Sequence, residues 1–541
     1  MPENHFDLIV IGTGPGGAAL AQRLAAGGKS ILIIERGDYL PRSRANWDAG
    51  AVFVDGIYQT KERWYDGRGK SFHPGLHYFV GGNSKMYGAA LFRLRERDFD
   101  ALEHIDGISP AWPLNYATFE PYYQQAEQLF HVHGQRGEDS TEPPSQHPYP
   151  YPPVSHEPRI QGLHDRFRQA GLHPFHMPLG VLLDEQNGVA TPDSIWFRND
   201  AFDGFPCLLN GKADAQTICI DPMLAAYPNV TLLTNAYVSR LDTDATGGTI
   251  SRIEVMRNGG MEHYSADIVV VACGALSSAL LLLRSANQAH PTGLANGSDQ
   301  VGRNYMRHNQ SVLMALSREP NDTVFQKTLA LSDYYFGAED SPYPLGLIQM
   351  MGKSHAEQIR AEALPDWLGW VPDMPFEMMA RHSLDFWLMS EDLPRPENRI
   401  RLDPDGRVIL DVTENNMEAH HRLRAKLEQL MTMADAHPHF LPRSLYFGKD
   451  IPIGGTAHQA GTARFGTDPA SSVLDLDCKA HQLDNLYLVD ASFFPSIGAV
   501  NPTLTVIANA LRVADKIAVR LGMKVGAALH TALTTEREPA P

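Results

Sequence analysis

A chain of 541 residues with 43% hydrophobic and 20% charged residues has room for more than one domain, and its composition is that of a globular protein. Its 63 acidic residues outnumber 46 basic ones for a formal charge of −17, spread along the chain, which argues against the basic face that nucleic acid binding needs. No apolar run approaches the ~20 residues that span a bilayer. The start, MPENHFDLIVIG, has no basic region and no small-residue cleavage site, so a cytoplasmic chain without a membrane partner is expected. Cys207, Cys219, Cys273 and Cys478 are widely spaced with no C-x-x-C pair, so neither a disulfide framework nor a metal site is expected.

The stretch FDLIVIGTGPGGAALAQRLAAGGKSILIIERG reads as a βαβ unit. A fully buried strand runs to Ile11. Gly12, Gly14 and Gly17 follow in G-x-G-x-x-G spacing, then an alanine-rich helix from about Pro15 to Ala26, and a second buried strand that ends at Glu35. Each glycine has a separate reason: Gly12 turns the chain, Gly14 lets the backbone approach a pyrophosphate, and Gly17 lets the helix close on the sheet. Phosphates then sit at the positive end of the helix. Glu35 is placed to accept from a ribose diol, which favours FAD or NAD over NADP.

Later segments bear on which dinucleotide is bound. YFVGGNSKMYGAALFRLRERDF at 78–99, ADIVVVACGALSSALLLLRSA at 266–286, HQAGTARFG from His458 and NLYLVDASFFPSIGAVNPTLTVIANALRVADKI near the end resemble the signatures of the glucose–methanol–choline oxidoreductases. The resemblance implies FAD. It places Gly82 and Asn83 in the flavin-side loop, Gly274 in the second signature, Asp490 on the ribityl chain, and Asn501, Pro502 and Thr503 near the isoalloxazine ring. It puts the adenine end near Val238. Some members link FAD to a histidine four residues beyond the second glycine of the loop; here that position is Met86, so non-covalent FAD is expected. The second signature departs from its usual glycine-rich ending, reading RSANQ.

The resemblance also divides the chain. Residues 1–95, 211–310 and 451–525 are expected to form a discontinuous FAD-binding domain, 96–210 and 311–450 a substrate domain, and 526–541 a tail. The fold class is α/β, a Rossmann-like domain interleaved with an α+β domain on an antiparallel sheet. Alternation around DPDG in 384–412 reads as a hairpin. The sheet is expected to floor a pocket over the flavin, with Trp367, Trp370, Phe386 and Trp387 as candidate walls. The proline-rich run between Pro143 and Pro158 cannot be helix or central strand, and is read as a lid or homo-oligomer contact.

Imidazole can accept a proton near neutrality, and most histidines in a chain with 23 of them do no chemistry. The resemblance singles out His458 as the base and Asn501, 43 positions later, as its partner, where an amide can donate to a developing alkoxide. His308, closing VGRNYMRH, is read as structural. The expected substrate is a small-molecule alcohol, with a sugar, polyol or cyclitol preferred over an aryl or simple primary alcohol. The electron acceptor is oxygen or a quinone-like carrier. A hydroxynitrile lyase on the same scaffold and an NAD-binding module are the alternatives.

Overall fold

Strand His5–Ile11 opens the fold at the centre of a parallel sheet, flanked by Ile31–Ile34 and then Val230–Leu233 on one side. The second half of the long strand Gly260–Val271 pairs with it on the other side and carries Leu486–Leu488 as the next parallel neighbour. Ile31–Ile34 and Leu486–Leu488 are buried throughout, as expected where helices cover both faces of a parallel sheet. The first half of Gly260–Val271 runs on into an antiparallel ribbon with Ile250–Arg257 and Ala236–Thr243. The computed structural model describes residues 4–182, 201–317, 319–363, 374–433, 436–437 and 453–523, so Trp367, Trp370 and the tail lie outside the described residues.

Helix Pro15–Ala25 packs against helix Thr503–Arg520, which is covered in turn by helix Tyr116–Leu129. The close approach of the first helix to the sheet depends on glycine. A Cβ on Gly17 would stand 2.4 Å from the Gly12 carbonyl oxygen, and one on Gly16 2.2 Å from that of Val489. Gly16 is a second packing position that the glycine spacing did not single out.

A six-stranded antiparallel sheet forms the second layer. Its order is Ala436–His437, Asn309–Ser317, Ser383–Ser390, Leu347–Met350, Leu329–Leu331 and Phe175–His176. Cross-strand register separates its faces. Leu313, Phe386, Leu388 and Ile348 join helices Pro158–Gln169 and Met417–Met433 in one apolar cluster. Gln310 stands opposite Met389 and Gln349 opposite Trp387 on the other face. Phe386 therefore belongs to the helix-covered side and lines no pocket with Trp387, because neighbours in a strand point to opposite faces.

The expected hairpin around DPDG is present as Arg399–Leu402 paired with Val408–Asp411. It joins Trp64–Asp66 and Ser71–Phe72 in a separate four-stranded sheet, so the 64–72 and 399–411 segments share backbone hydrogen bonds. The proline-rich run is extended and pinned: Tyr116 donates to the Pro144 carbonyl at 2.8 Å, and the Arg136 guanidinium lies 3.6 Å from the centroid of the Tyr149 ring. Among the described residues no helix is long and apolar enough to cross a membrane, and no cluster of histidine, cysteine and carboxylate side chains could hold a metal ion.

Candidate active site

Four backbone turns meet at the carboxyl ends of the parallel strands. Gly12 has φ +105°, and a Cβ on it would come within 2.4 Å of the Ala272 carbonyl oxygen, so the first turn touches the turn after Gly260–Val271. Gly14 caps the first helix and Gly274 caps helix Ala275–Arg284; a Cβ on either would meet nothing within 4 Å. Open space at two glycine helix caps, with no acidic residue in either first turn, suits a pyrophosphate. The flavin-side loop lies over this cradle: the Gly81 N–H donates to Thr13 Oγ1 at 3.0 Å, and a Cβ on Gly82 would be 3.2 Å from Gly14 Cα.

Glu35 is buried at the end of its strand. Its Oε2 accepts from the Thr13 N–H at 3.1 Å and the Thr13 hydroxyl at 2.6 Å, and its Oε1 from the Gly37 N–H at 2.9 Å. Burial raises its pKa against these bonds. Asp490 is likewise held: the Gly274 N–H reaches Oδ2 at 3.0 Å, the Ser278 hydroxyl donates to the same oxygen, and the Ser492 N–H reaches Oδ1 at 2.9 Å. Asp490 thus ties the 274 turn to the strand end before it. Asn83 is turned away from the cradle, accepting from the His77 N–H at 2.9 Å and donating to the Gly75 carbonyl at 3.2 Å, so its side chain braces its own loop. Val238 lies in Ala236–Thr243, whose first residue bonds the Glu35 carbonyl at 2.9 Å, and the register slips between Val238 and Arg240. Met86, four residues beyond Gly82, is buried at the end of the loop. Pro502 and Thr503 form the start of the last long helix.

His458 sits just beyond the cradle. In its loop the Gly461 N–H donates to the Ala491 carbonyl at 3.1 Å, and the Thr462 hydroxyl to that of Ala275 at 2.6 Å. The half-buried imidazole is met at Nδ1 by the side-chain amide of Gln310 at 2.8 Å and by Nδ1 of His308 at 2.9 Å. Its hydrogen bonds among the described residues are both at Nδ1, and Nε2 has none there. Burial lowers the His458 pKa to about 4, with a smaller contribution from the Lys327 ammonium, itself paired with Asp203 at 2.6 Å.

Asn501 is brought to the same place by the chain turn at 497–502. His308 Nε2 lies 3.1 Å from the Gly498 carbonyl, so one ring bridges His458 and the segment leading to Asn501. Gln349 donates from Nε2 to Asn501 Oδ1 at 3.3 Å, which leaves the Asn501 amide N–H groups for another acceptor. Gln349 Oε1 and Trp387 Nε1, neighbours across the sheet, are buried without partners among the described residues. Behind the turn, Glu391 Oε1 accepts from Gly498 N–H at 3.1 Å, and the Tyr335 hydroxyl accepts from Ala499 N–H at 2.9 Å while donating to Asp98 at 2.8 Å.

Gln310, Gln349 and the contact made by His308 carry no local signal in the sequence. Strand alternation puts Gln310 and Gln349 on the open face of the sheet, but only the register says which residues lie opposite, and register is not visible in one strand alone.

Glycine turns at the ends of parallel strands, beside a histidine and an asparagine that meet Gln310 and Gln349 of the antiparallel sheet, are the layout of a two-layer enzyme. Comparison with known proteins gives the family: the chain belongs to the GMC oxidoreductases, FAD-dependent enzymes that act on alcohol groups. Residues 185–310 match the N-terminal and 394–510 the C-terminal GMC oxidoreductase model. The chain is 31% identical to 6'''-hydroxyparomomycin C oxidase of Streptomyces lividus, over 95% of this chain and 92% of that one. It is 26% identical to the fructose dehydrogenase large subunit of Gluconobacter japonicus, over 94% and 97%. In fold it is similar to pyridoxine 4-oxidase from Mesorbium loti, with a TM-score of 0.65 at 20% identity, covering 94% of this chain and 99% of that one.

Proposed function

We propose that the protein oxidises a hydroxyl-rich alcohol, a sugar, polyol, cyclitol or amino sugar, to a carbonyl with non-covalently held FAD, using His458 as base. The observation that carries this reading is the convergence beside the glycine cradle of His458, with one ring nitrogen unpartnered among the described residues, and Asn501, whose amide N–H groups meet no acceptor among them. FAD, when bound, supplies the acceptor for the hydride that leaves the carbinol carbon. His458 takes the hydroxyl proton as the O–H bond breaks, a contribution of about 10² to 10⁴-fold for a positioned base. A neutral imidazole is needed for that, and burial, holding its pKa near about 4, keeps it neutral at pH 7. Asn501 donates to the same oxygen as charge builds there, with Gln349 holding its amide in that orientation.

Two observations favour a polyhydroxylated substrate. Among the described residues Gln349 Oε1 and Trp387 Nε1 are an unpartnered acceptor and donor on the Gln310 side of the sheet, and a neighbouring hydroxyl satisfies both kinds of group. Relatives named as oxidases of paromamine and of 6'''-hydroxyparomomycin C, and as a fructose dehydrogenase, support the same class. Met86 supports non-covalent FAD. Cradle residues Gly12, Gly14, Gly17, Glu35, Gly82, Val238, Gly274 and Asp490 are proposed to hold the dinucleotide, with Pro502 and Thr503 at the flavin end. Asn83 would contribute through its backbone.

The test is an anaerobic spectrum. Purified yellow protein is mixed with sugars, polyols, cyclitols and amino sugars, and with aryl and simple primary alcohols for comparison. Bleaching by members of the first group is expected; recolouring with oxygen or with an artificial quinone then identifies the acceptor. A flavin that stays oxidised with every alcohol sinks the proposal in favour of a lyase, and a colourless protein points to NAD.

A further inference from the structure

The hydrogen bonds around His458 admit one consistent placement of protons. His308 Nε2 lies 3.1 Å from the Gly498 carbonyl oxygen, which can only accept, so Nε2 carries a hydrogen. His308 is buried, and its charged form is disfavoured by desolvation first and by the neighbouring His458 second, which outweigh the hydrogen bonds to the Gly498 and Ile497 carbonyls that favour it, so the ring is neutral. A neutral ring protonated at Nε2 has a lone pair at Nδ1. That lone pair faces His458 Nδ1 at 2.9 Å, with the two ring planes 84° apart. Two lone pairs cannot face each other at this distance, so the hydrogen between them belongs to His458 Nδ1.

The Gln310 amide, 2.8 Å from the same Nδ1, must then turn its oxygen towards it, a half-turn that leaves the shape of the group unchanged. The opposite arrangement, with Gln310 donating to His458 Nδ1, would require a second proton on His308 and hence a buried cation.

We propose that His308 is a positioning residue that locks His458 in the Nδ1–H tautomer. The lock leaves Nε2 of His458, which meets no hydrogen-bond partner among the described residues, with the lone pair that receives the substrate proton. When that proton arrives, the ring becomes an imidazolium whose Nδ1–H still points at an acceptor, so the positive charge forms on a ring already hydrogen-bonded to stabilise it. The O–H bond of the substrate breaks, the Nε2–H bond forms, and the proton leaves to solvent with product release. This inference rests on the reading of His458 as base and names the atom and the residue that prepares it.

Two substitutions separate the lock from a bracing role. In His308→Asn the side-chain oxygen falls near the place of Nδ1 and keeps an acceptor for His458, while contact with Gly498 is lost. In His308→Gln the amide falls near the place of Nε2 and keeps the Gly498 bond, while the acceptor is lost and Gln310 is free to donate to His458 Nδ1. The holoproteins are labelled with ¹⁵N-histidine, and the His458 resonances are identified by their loss in His458→Gln. Long-range proton–nitrogen correlation is expected to give Nδ1–H in the parent and His308→Asn, and Nε2–H in His308→Gln. Anaerobic flavin reduction by an alcohol that reduces the parent is expected to stay within about tenfold in His308→Asn and to slow by at least ~10²-fold in His308→Gln, with substrate affinity and flavin content kept. Nε2–H in the parent, or His308→Gln reducing its flavin as fast as His308→Asn, overturns the proposal. Nδ1–H in a parent that no alcohol reduces leaves the lock standing and overturns the alcohol-oxidation reading instead. The parent spectrum decides the tautomer even if a variant fails to fold.

Discussion

At the residue scale, His458 and Asn501 act on one oxygen in the proposed mechanism, and their losses should overlap. His458→Ala is expected to keep its flavin and slow reduction by at least ~10²-fold, and Asn501→Ala to lose about 2–4 kcal/mol of transition-state stabilisation. The double variant should be less damaged than the product of the two, because residues that act as a unit are not additive. Stopped-flow reduction measures all three, and a His458→Ala variant that reduces at the parent rate removes the histidine from the chemistry. Glu35 is a different kind of residue. Its oxygens already bind Thr13 and Gly37, so it shapes the turn as well as offering lone pairs to a ribose. Glu35→Ala should weaken FAD by about 1.5–3 kcal/mol, as for a lost charged acceptor, and leave reduction at saturating FAD nearly intact. Normal flavin retention with no turnover would refute the ribose assignment.

At the element scale, the turn at 497–502 is held from behind by buried acids, and this makes its stability depend on pH. Asp98 accepts from the Arg95 N–H at 2.7 Å and from the Tyr335 hydroxyl at 2.8 Å. Burial, followed by repulsion from Glu391, raises it from 3.8 to about 7. Because the folded value is raised, the fold favours the neutral acid: the stability this gives is whole below 3.8 and is lost as pH rises towards about 7. Asp98→Asn keeps the accepting oxygen and cannot ionise. Its stability relative to the parent should therefore rise by on the order of 4 kcal/mol between pH 4 and pH 8, read from urea midpoints of the holoproteins. Parallel midpoints across that range would show that Asp98 does not titrate there. None of this was legible in the sequence, where Asp98 is one carboxylate in RLRERDF. The strand–glycine–helix–strand unit was legible because its period and its glycines are local. The hairpin around DPDG was legible for the same reason. The pairing of that hairpin with 64–72, and which of Phe386 and Trp387 faces the covering helices, are fixed by long-range pairing and packing that local pattern does not carry.

At the scale of the whole molecule, the cradle gathers segments from far apart in the chain: Gly12 and Gly14, the loop at 81–82, Gly274, and Asp490 with the helix that begins at Thr503. Motif resemblance implies one cofactor for these segments; the turns at Gly12, Gly274 and Asp490 follow the ends of adjacent parallel strands, and the loop at 81–82 is bonded to Thr13 of the first turn. A ligand that bridges them binds the folded chain and not the unfolded one, so it must stabilise the fold by mass action, about 2.7 kcal/mol at a hundredfold excess over the dissociation constant. With Met86 in place of a linking histidine, that stabilisation should be removable without breaking a covalent bond. Acid precipitation is expected to release all the yellow colour into the supernatant. Protein stripped of flavin under milder conditions should melt at a lower temperature and recover its melting point on adding FAD, in a concentration-dependent way that NAD does not reproduce. Colour that stays with the pellet would mean that another residue forms the link, and a melting point indifferent to FAD would mean that the gathered turns hold together without it.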